Sequence, residues 1–415
     1  MTLLRFLAAC TALLLTACAS SVPPRAADAP ARPVVLLVSI DGLRADAVDP
    51  RIAPNLSRIA DEGVRAQWMN PSYPSLTFPN HYTLVTGLRP DHHGVIHNSM
   101  SDGTLGRFKV EDRDAVGDAR WWGGEPIWVG VEKAGMHAAT WSWPGSEAAI
   151  QGVRPSRWRP YDARVSLDSR VDDVLDWLAD TGPQKPQLVT LYFEQVDLAG
   201  HDFGPGSPQY AQAVRQVDAA IGRLDEGVAR SGLAGAVDMV IVSDHGMSTV
   251  APDHRLAIED MVPPSVASAV SIGQSVGFAP LPGQQAAAEA RLLGAHPQYD
   301  CWRKQDLPAR WHYGTHPRIP AIVCQMHEGW DALPAEQVAR RRAAGTTRGS
   351  HGYDPALPSM RAVFIARGPS FKQHQVLPPF DNVDVYPLLA RLLGIPAAAN
   401  DGNPQALLPA LRDMP

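Results

Sequence analysis

Seven residues of this chain have side chains that could hold metal or act as a nucleophile. Asp41 follows the apolar run Val34–Ile40. Asp197 and His201 stand four apart in YFEQVDLAGHDFG, and Asp244 and His245 are adjacent in MVIVSDHGM. His351 lies in RGSHGYDP, and Thr77 in PSLTFPNH. Three carboxylates and three imidazoles make six ligands. That is enough for two zinc-type ions with three protein ligands each and open positions for chemistry. Thr77 supplies the hydroxyl that such a site needs as a nucleophile.

Each residue also has an ordinary structural reading. A carboxylate such as Asp41 at the end of an apolar strand is costly to bury unpaired, and a metal removes that cost. The alternative is an Asp that caps the next loop. The spacing of Asp197 and His201 places both on one face of a helix. Gly200 and Gly204 argue for a loop instead. Adjacent acid and imidazole at Asp244 and His245 have few structural uses. Thr77 stands two residues before Pro79, which suits a first helical turn, so its hydroxyl belongs at a helix N-terminus where anions are favoured. The competing reading is a simple N-cap. Asn98, in GVIHNSM, could donate its amide to a phosphoryl oxygen or could serve a turn. The remaining histidines, including those of Asp91-His92-His93, read as turn or surface residues.

These residues need a scaffold. The strands Val34–Ile40, Leu188–Phe193, Met239–Ser243 and Ala362–Ala366 are nearly continuous apolar runs, as expected of strands buried on both faces. Helix patterns run from Pro54 to a stop at Gly63, from Pro79 to Gly87, from Ser207 to Gly232 and from Val383 to Gly394. The alternation predicts an α/β fold, a doubly wound, largely parallel sheet flanked by helices. Residues 248–345 break the rhythm and read as a small α+β insertion, with a strand at Ile319–Cys324, that caps the mouth of the site. Cys301 and Cys324 form the even pair left in an exported chain. A disulfide is the expected reading, against two unpaired buried thiols, and would contribute about 3 kcal/mol in the chain-entropy view.

Composition narrows the function. A net charge of −6 and a pI near 6.1 argue against binding to a nucleic-acid duplex. Residues 1–17 have the short basic and apolar regions of a signal peptide. The run Leu15-Thr16-Ala17-Cys18 resembles a lipobox, which implies lipid on Cys18. Residues 18–32 then form a flexible tether, and 33–410 the catalytic domain. This predicts a lipid-anchored protein of the bacterial cell envelope, at the outer membrane.

The stretches VSIDGLR, PSYPSLTFPNHYTLVTGLRPDHHGVIHNSM, YFEQVDLAGHDFGP, VSDHGM, GSHGYDP and AVFIARGPSFK, with NVDVYPLLARLLGI, run in order from residue 38 to 396. Together they resemble the nucleotide pyrophosphatase/phosphodiesterase family of the alkaline phosphatase superfamily, in a bacterial single-domain form. The resemblance implies an alkaline-phosphatase-like fold and two zinc ions. Asp41, Thr77, Asp244 and His245 would hold one ion, and Asp197, His201 and His351 the other. Asn98 would assist Thr77, and the aromatic pair Phe78 and Tyr192 would stack the nucleobase. The implied reaction releases nucleoside 5′-monophosphates through a nucleotidyl-threonine. No obligate protein partner is evident. The alternative within the family is a choline-type phosphodiesterase acting on lysophospholipid or glycerophosphocholine. A sulfatase is excluded, because Thr77-Phe78-Pro79-Asn80 has neither the residue that becomes formylglycine nor the required arginine.

Overall fold

The computed structural model describes residues 32–413, so the segment read as signal and tether, with Cys18, lies outside it. The central sheet has eight strands: β1 (Val34–Ile40), β2 (Val64–Ala66), β3 (Ala138–Trp141), β4 (Arg157–Arg159), β5 (Leu188–Phe193), β6 (Val237–Val242), β7 (Phe364–Arg367) and β8 (Gln375–Leu377). Their spatial order is β8-β2-β7-β6-β1-β5-β3-β4. The core strand β1 pairs parallel with β5 on one side and β6 on the other.

Side-chain alternation explains why these apolar runs became central strands. Val35 and Leu37 point into a core that includes Leu84, Val85 and Leu389. Leu36, Val38 and Ile40 point into a second core with Ile59, Val174 and Ile221. Helices therefore cover both faces of the sheet. Thr77–Thr86 and Val385–Leu393 lie on the first, and Pro54–Glu62, Leu167–Ala179 and Pro208–Arg230 on the second. The doubly wound reading holds.

One strand departs from the simple reading. The run read as Ala362–Ala366 forms β7 at Phe364–Arg367, antiparallel to both β6 and β2. Its register gives the reason: Phe364 lies opposite Val242, and Arg367 opposite Met239. The chain returns to the sheet at the carboxyl end of β6, where His351 has just been left. From there a strand can only run back against its neighbour.

Between β6 and β7 lies a separate five-stranded sheet. Its order is Ala267–Ala269, Ser275–Pro280, Ile322–Met326, Tyr299–Arg303 and Gly294–Ala295, with antiparallel pairing throughout. The strand expected at Ile319–Cys324 is shifted to Ile322–Met326. Cys301 and Cys324 face each other across that sheet and are disulfide-bonded. The region docks on the segments that carry the site. Tyr73 stacks on Trp311 at 4.0 Å, and Asp91 accepts hydrogen bonds from the backbone of Gly314, Thr315 and His316. Asp91 and His93 are thus buried, not turn or surface residues. The turn reading failed because the docked loop that covers Asp91 lies more than 200 residues away in the chain.

Candidate active site

The seven residues converge at the carboxyl ends of the central strands, where open α/β sheets place their sites. Asp41 follows β1, and Asp244 and His245 follow β6. Asp197 and His201 lie on a helix, Gln195–Phe203, despite Gly200. Asp197 sits in its first turn, where the helix dipole favours a carboxylate. Gly200 is there for space. A Cβ on Gly349 would clash with the Gly200 carbonyl, and one on Gly200 would lie 2.7 Å from Met247. The short strand Arg348–Ser350 closes against the helix at that point and delivers His351 beside His201. Thr77 is the first residue of the helix Thr77–Thr86, which starts two residues before the position expected from Pro79.

The side chains form two adjoining groups. In the first, His245 Nε2 lies 2.9 Å from Asp244 Oδ2 and 3.4 Å from Asp41 Oδ1, with Thr77 Oγ 3.3 Å away. In the second, His351 Nε2 and His201 Nε2 are each 3.5 Å from an oxygen of Asp197, and 3.0 Å from each other. Donor atoms of Asp197, His201 and His351, and of Asp41, Asp197 and His245, lie within 4.8 Å of one another.

Hydrogen bonds fix how the imidazoles face. Nδ1 of His245 lies 2.8 Å from the Gly246 carbonyl, Nδ1 of His351 3.0 Å from the Ser75 carbonyl, and Nδ1 of His201 3.2 Å from the Gly349 carbonyl. A carbonyl only accepts, so each Nδ1 carries the proton and each Nε2 turns a lone pair into the site. This is the backing that metal-ligating histidines have.

The carboxylates complete the fit. Asp41 Oδ1, Asp197 Oδ1 and Asp244 Oδ2 are buried and have no hydrogen-bond donor in bonding geometry. Burial, with the charges of Asp244 and Asp197, pushes Asp41 well above the usual carboxylate range. Burial also raises Asp197. Asp244 goes the other way: burial opposes its charge, but His245 and His81 beside it hold it well below its ordinary value. Burial, reinforced by His245 and His201, pushes His351 far down, so it stays neutral. Three acids crowded out of water, each with an orphaned oxygen facing imidazole nitrogens, suit divalent cations.

A cavity of about 590 Å³ opens onto the two groups. Phe78, Asn98, Tyr161, Tyr192 and Leu198 are among its lining. Asn98 Oδ1 accepts from the Phe78 backbone N–H at 3.0 Å, which leaves its amide nitrogen as the free end. Tyr192 is only 7% exposed, and its hydroxyl donates to Asp41 Oδ2 at 2.6 Å. Tyr161 is 38% exposed beside it, with ring centroids 6.4 Å apart. Sequence reasoning passed over Tyr161, which has no local signal in RPYDAR.

His81 was among the histidines read as turn or surface residues, but it is fully buried against this site. His81 Nδ1 lies 2.9 Å from the Thr77 carbonyl and 3.3 Å from Asp244 Oδ2, and its Nε2 lies 2.8 Å from Ser39 Oγ. The signal was available, since His81 stands four residues after Thr77, one turn along the same helix face.

Residues 35–354 match the sequence family described as type I phosphodiesterase / nucleotide pyrophosphatase. The chain belongs to that family. It is 34% identical over 391 residues to an uncharacterized pyrophosphatase/phosphodiesterase of Schizosaccharomyces pombe, covering 91% of this chain and 80% of that protein. Against the rat ectonucleotide pyrophosphatase/phosphodiesterase family member 3 it is 34% identical over 401 residues. That match takes in 93% of this chain but only 45% of the rat protein, so the chain spans about half the length of such relatives. Among solved structures, murine ectonucleotide pyrophosphatase/phosphodiesterase 5, in an inactive form in complex with AMP, superposes with a TM-score of 0.86 at 31% identity. It covers 92% of this chain and is itself covered completely. The family is metal-dependent, and the fold is alkaline-phosphatase-like.

Proposed function

We propose that the protein hydrolyses nucleotide phosphodiester or pyrophosphate bonds and releases nucleoside 5′-monophosphates. The observation that carries this reading is the place of Thr77. Its hydroxyl stands at a helix N-terminus, 3.3 Å from His245 Nε2 and beside the orphaned oxygens of Asp41 and Asp244. The nitrogen and oxygen donor set suits two zinc ions. Asp41, Asp244, His245 and Thr77 would hold one, and Asp197, His201 and His351 the other. Bound zinc would act as a Lewis acid, lowering the acidity threshold of the threonine hydroxyl and neutralising charge on phosphoryl oxygens.

The chain's own residues then define the steps. Deprotonated Thr77 Oγ forms a bond to the α-phosphorus as the bond from phosphorus to the leaving oxygen breaks. The N-terminal dipole of its helix and the free amide of Asn98 favour the charge on the non-bridging oxygens. Water then attacks the same phosphorus, the bond to Thr77 breaks, and nucleoside monophosphate leaves. Half-buried Phe78 and exposed Tyr161 offer aromatic faces for a nucleobase. Tyr192, tied to Asp41, serves to aim that carboxylate. The relative solved in complex with AMP supports a nucleotide ligand.

The envelope location rests on the lipobox alone. Cys18 would carry lipid, and Cys18→Ala would release the protein from membranes. The test of the activity is to incubate purified protein with ATP, a dinucleotide, a nucleotide sugar and glycerophosphocholine, and to identify the products. Release of phosphocholine without nucleoside monophosphate would favour the choline-type alternative.

A further inference from the structure

We propose that His81 is a positioning residue that ties Thr77 to the strand bearing Asp41 through its Nδ1–H tautomer. The proposal deepens the reading of Thr77 as nucleophile and rests on it. His81 Nδ1 lies between the Thr77 carbonyl at 2.9 Å and Asp244 Oδ2 at 3.3 Å. Both oxygens can only accept, so Nδ1 must carry a proton. In the neutral ring Nε2 then presents a lone pair to Ser39 Oγ at 2.8 Å, and the serine hydroxyl donates to it. Ser39 is fully buried in β1, two residues before Asp41. Two hydrogen bonds through one imidazole thus span from the strand of one metal ligand to the first turn of the nucleophile helix.

The ring has no freedom to turn. It meets Tyr192 edge-on at 5.1 Å and Trp143 at 5.3 Å, and the Trp143 indole N–H donates to the His81 carbonyl at 3.0 Å. Tyr192 in turn holds Asp41. The same imidazole therefore touches what supports Asp41, Asp244 and Thr77.

A rival role is direct ligation, since donor atoms of Asp41, His81 and Asp244 lie within 4.8 Å of one another. A ligand nitrogen must present a lone pair. Here Nδ1 presents a proton to the Thr77 carbonyl, and the Nε2 pair is directed at Ser39. Asp244 Oδ2 is left without a bonded donor, free for a cation. His81 fixes the carbonyl of Thr77 and with it the direction of Oγ, and it leaves the coordinating oxygens unoccupied.

Nitrogen-15 NMR of the metal-free full chain, labelled on histidine, tests the tautomer without any turnover. The His81 signals, assigned by their loss in His81→Asn, should show Nδ1 protonated and Nε2 bare. The opposite pattern would overturn the proposal. In kinetics with a nucleotide aryl ester, Ser39→Ala and His81→Gln should lower kcat about tenfold to a hundredfold, as expected of a misaimed nucleophile. KM should stay within about twofold and metal content per chain should be unchanged. His81→Asn, whose amide N–H can replace Nδ1–H, should recover part of what Gln loses. Unchanged kcat in both Ser39→Ala and His81→Gln, or loss of a metal ion in the His81 variants, would overturn it. A wild type that cleaves no nucleotide ester defeats the phosphodiesterase reading instead, and the NMR result then stands by itself.

Discussion

His201 and His351 meet through like atoms, Nε2 to Nε2 at 3.0 Å, while their Nδ1 protons are both engaged by backbone carbonyls. Two lone pairs at that distance repel unless a cation shares them. Asp197, 3.5 Å from each ring, supplies negative charge for the same cation. The pair is thus arranged for something that the amino-acid chain does not itself contain.

Metal uptake should release protons and weaken as pH falls. Without metal, Asp41 and Asp197 titrate above their ordinary values. The folded metal-free state therefore binds more protons than the unfolded chain, and these two acids make it lose stability as pH rises from about 4. Asp244, held low, acts oppositely and contributes stability that is lost as pH drops below its unfolded value. A bound cation reverses the penalty on the raised pair by favouring their ionised forms. Calorimetric titration of zinc in buffers of different ionisation enthalpy should detect the released protons. Buffer-independent heats would count against this account.

Replacing Thr77 should separate chemistry from binding. Thr77→Ala should keep both metals and bind product, yet lose turnover by about ten-thousandfold or more, as expected when a nucleophile is removed. Thr77→Ser should retain substantial activity, since the hydroxyl survives. Stereochemistry checks the same step: two displacements predict net retention at a chiral thiophosphate, and inversion would mean direct attack by water.

The bond chosen should be the one next to the nucleoside. With ATP, the products expected are AMP and pyrophosphate, resolved by phosphorus NMR. ADP and inorganic phosphate would contradict the proposed seating of the base.

Phe78 and Tyr161 should behave alike, and Tyr192 differently. Phe78→Ala and Tyr161→Ala should each raise KM for nucleotide esters by about fivefold to a hundredfold, the range of a lost base–aromatic stack. Tyr192→Phe removes the 2.6 Å bond to Asp41 and should instead weaken metal affinity about tenfold to a hundredfold. A pure KM effect in Tyr192→Phe would restore it to the stacking pair.

Much of this site could be read in the chain because apolar strands end where chemistry begins. Asp41 and the pair Asp244 and His245 follow β1 and β6 directly, and a carboxylate in such a place demands a partner. The helix under Asp197 and His201 was harder to see. Gly200 looks like a loop residue, and its reason, the Met247 side chain standing where a Cβ would go, lies in a segment that sequence spacing cannot bring near. The direction of β7 was equally hidden, because it depends on where the insertion hands the chain back. His81 was missed although its spacing from Thr77 repeats that of Asp197 and His201. Its burial under Trp143 and Tyr192 is a tertiary fact.

The insertion has a consequence in time as well as in space. A ribosome makes Asp41, Thr77, Asp244 and His245 before the first residue of the five-stranded sheet, and His351 only after the last. A chain halted inside that sheet already owns every ligand of one proposed ion and only two of the three for the other. On the proposed ligand sets, a second ion would have all three of its ligands only once the chain beyond the insertion is made and the short Arg348–Ser350 strand has closed on its helix. Occupancy of that position would therefore mark a chain whose last ligand has arrived, and a product truncated before His351 would hold at most the first ion.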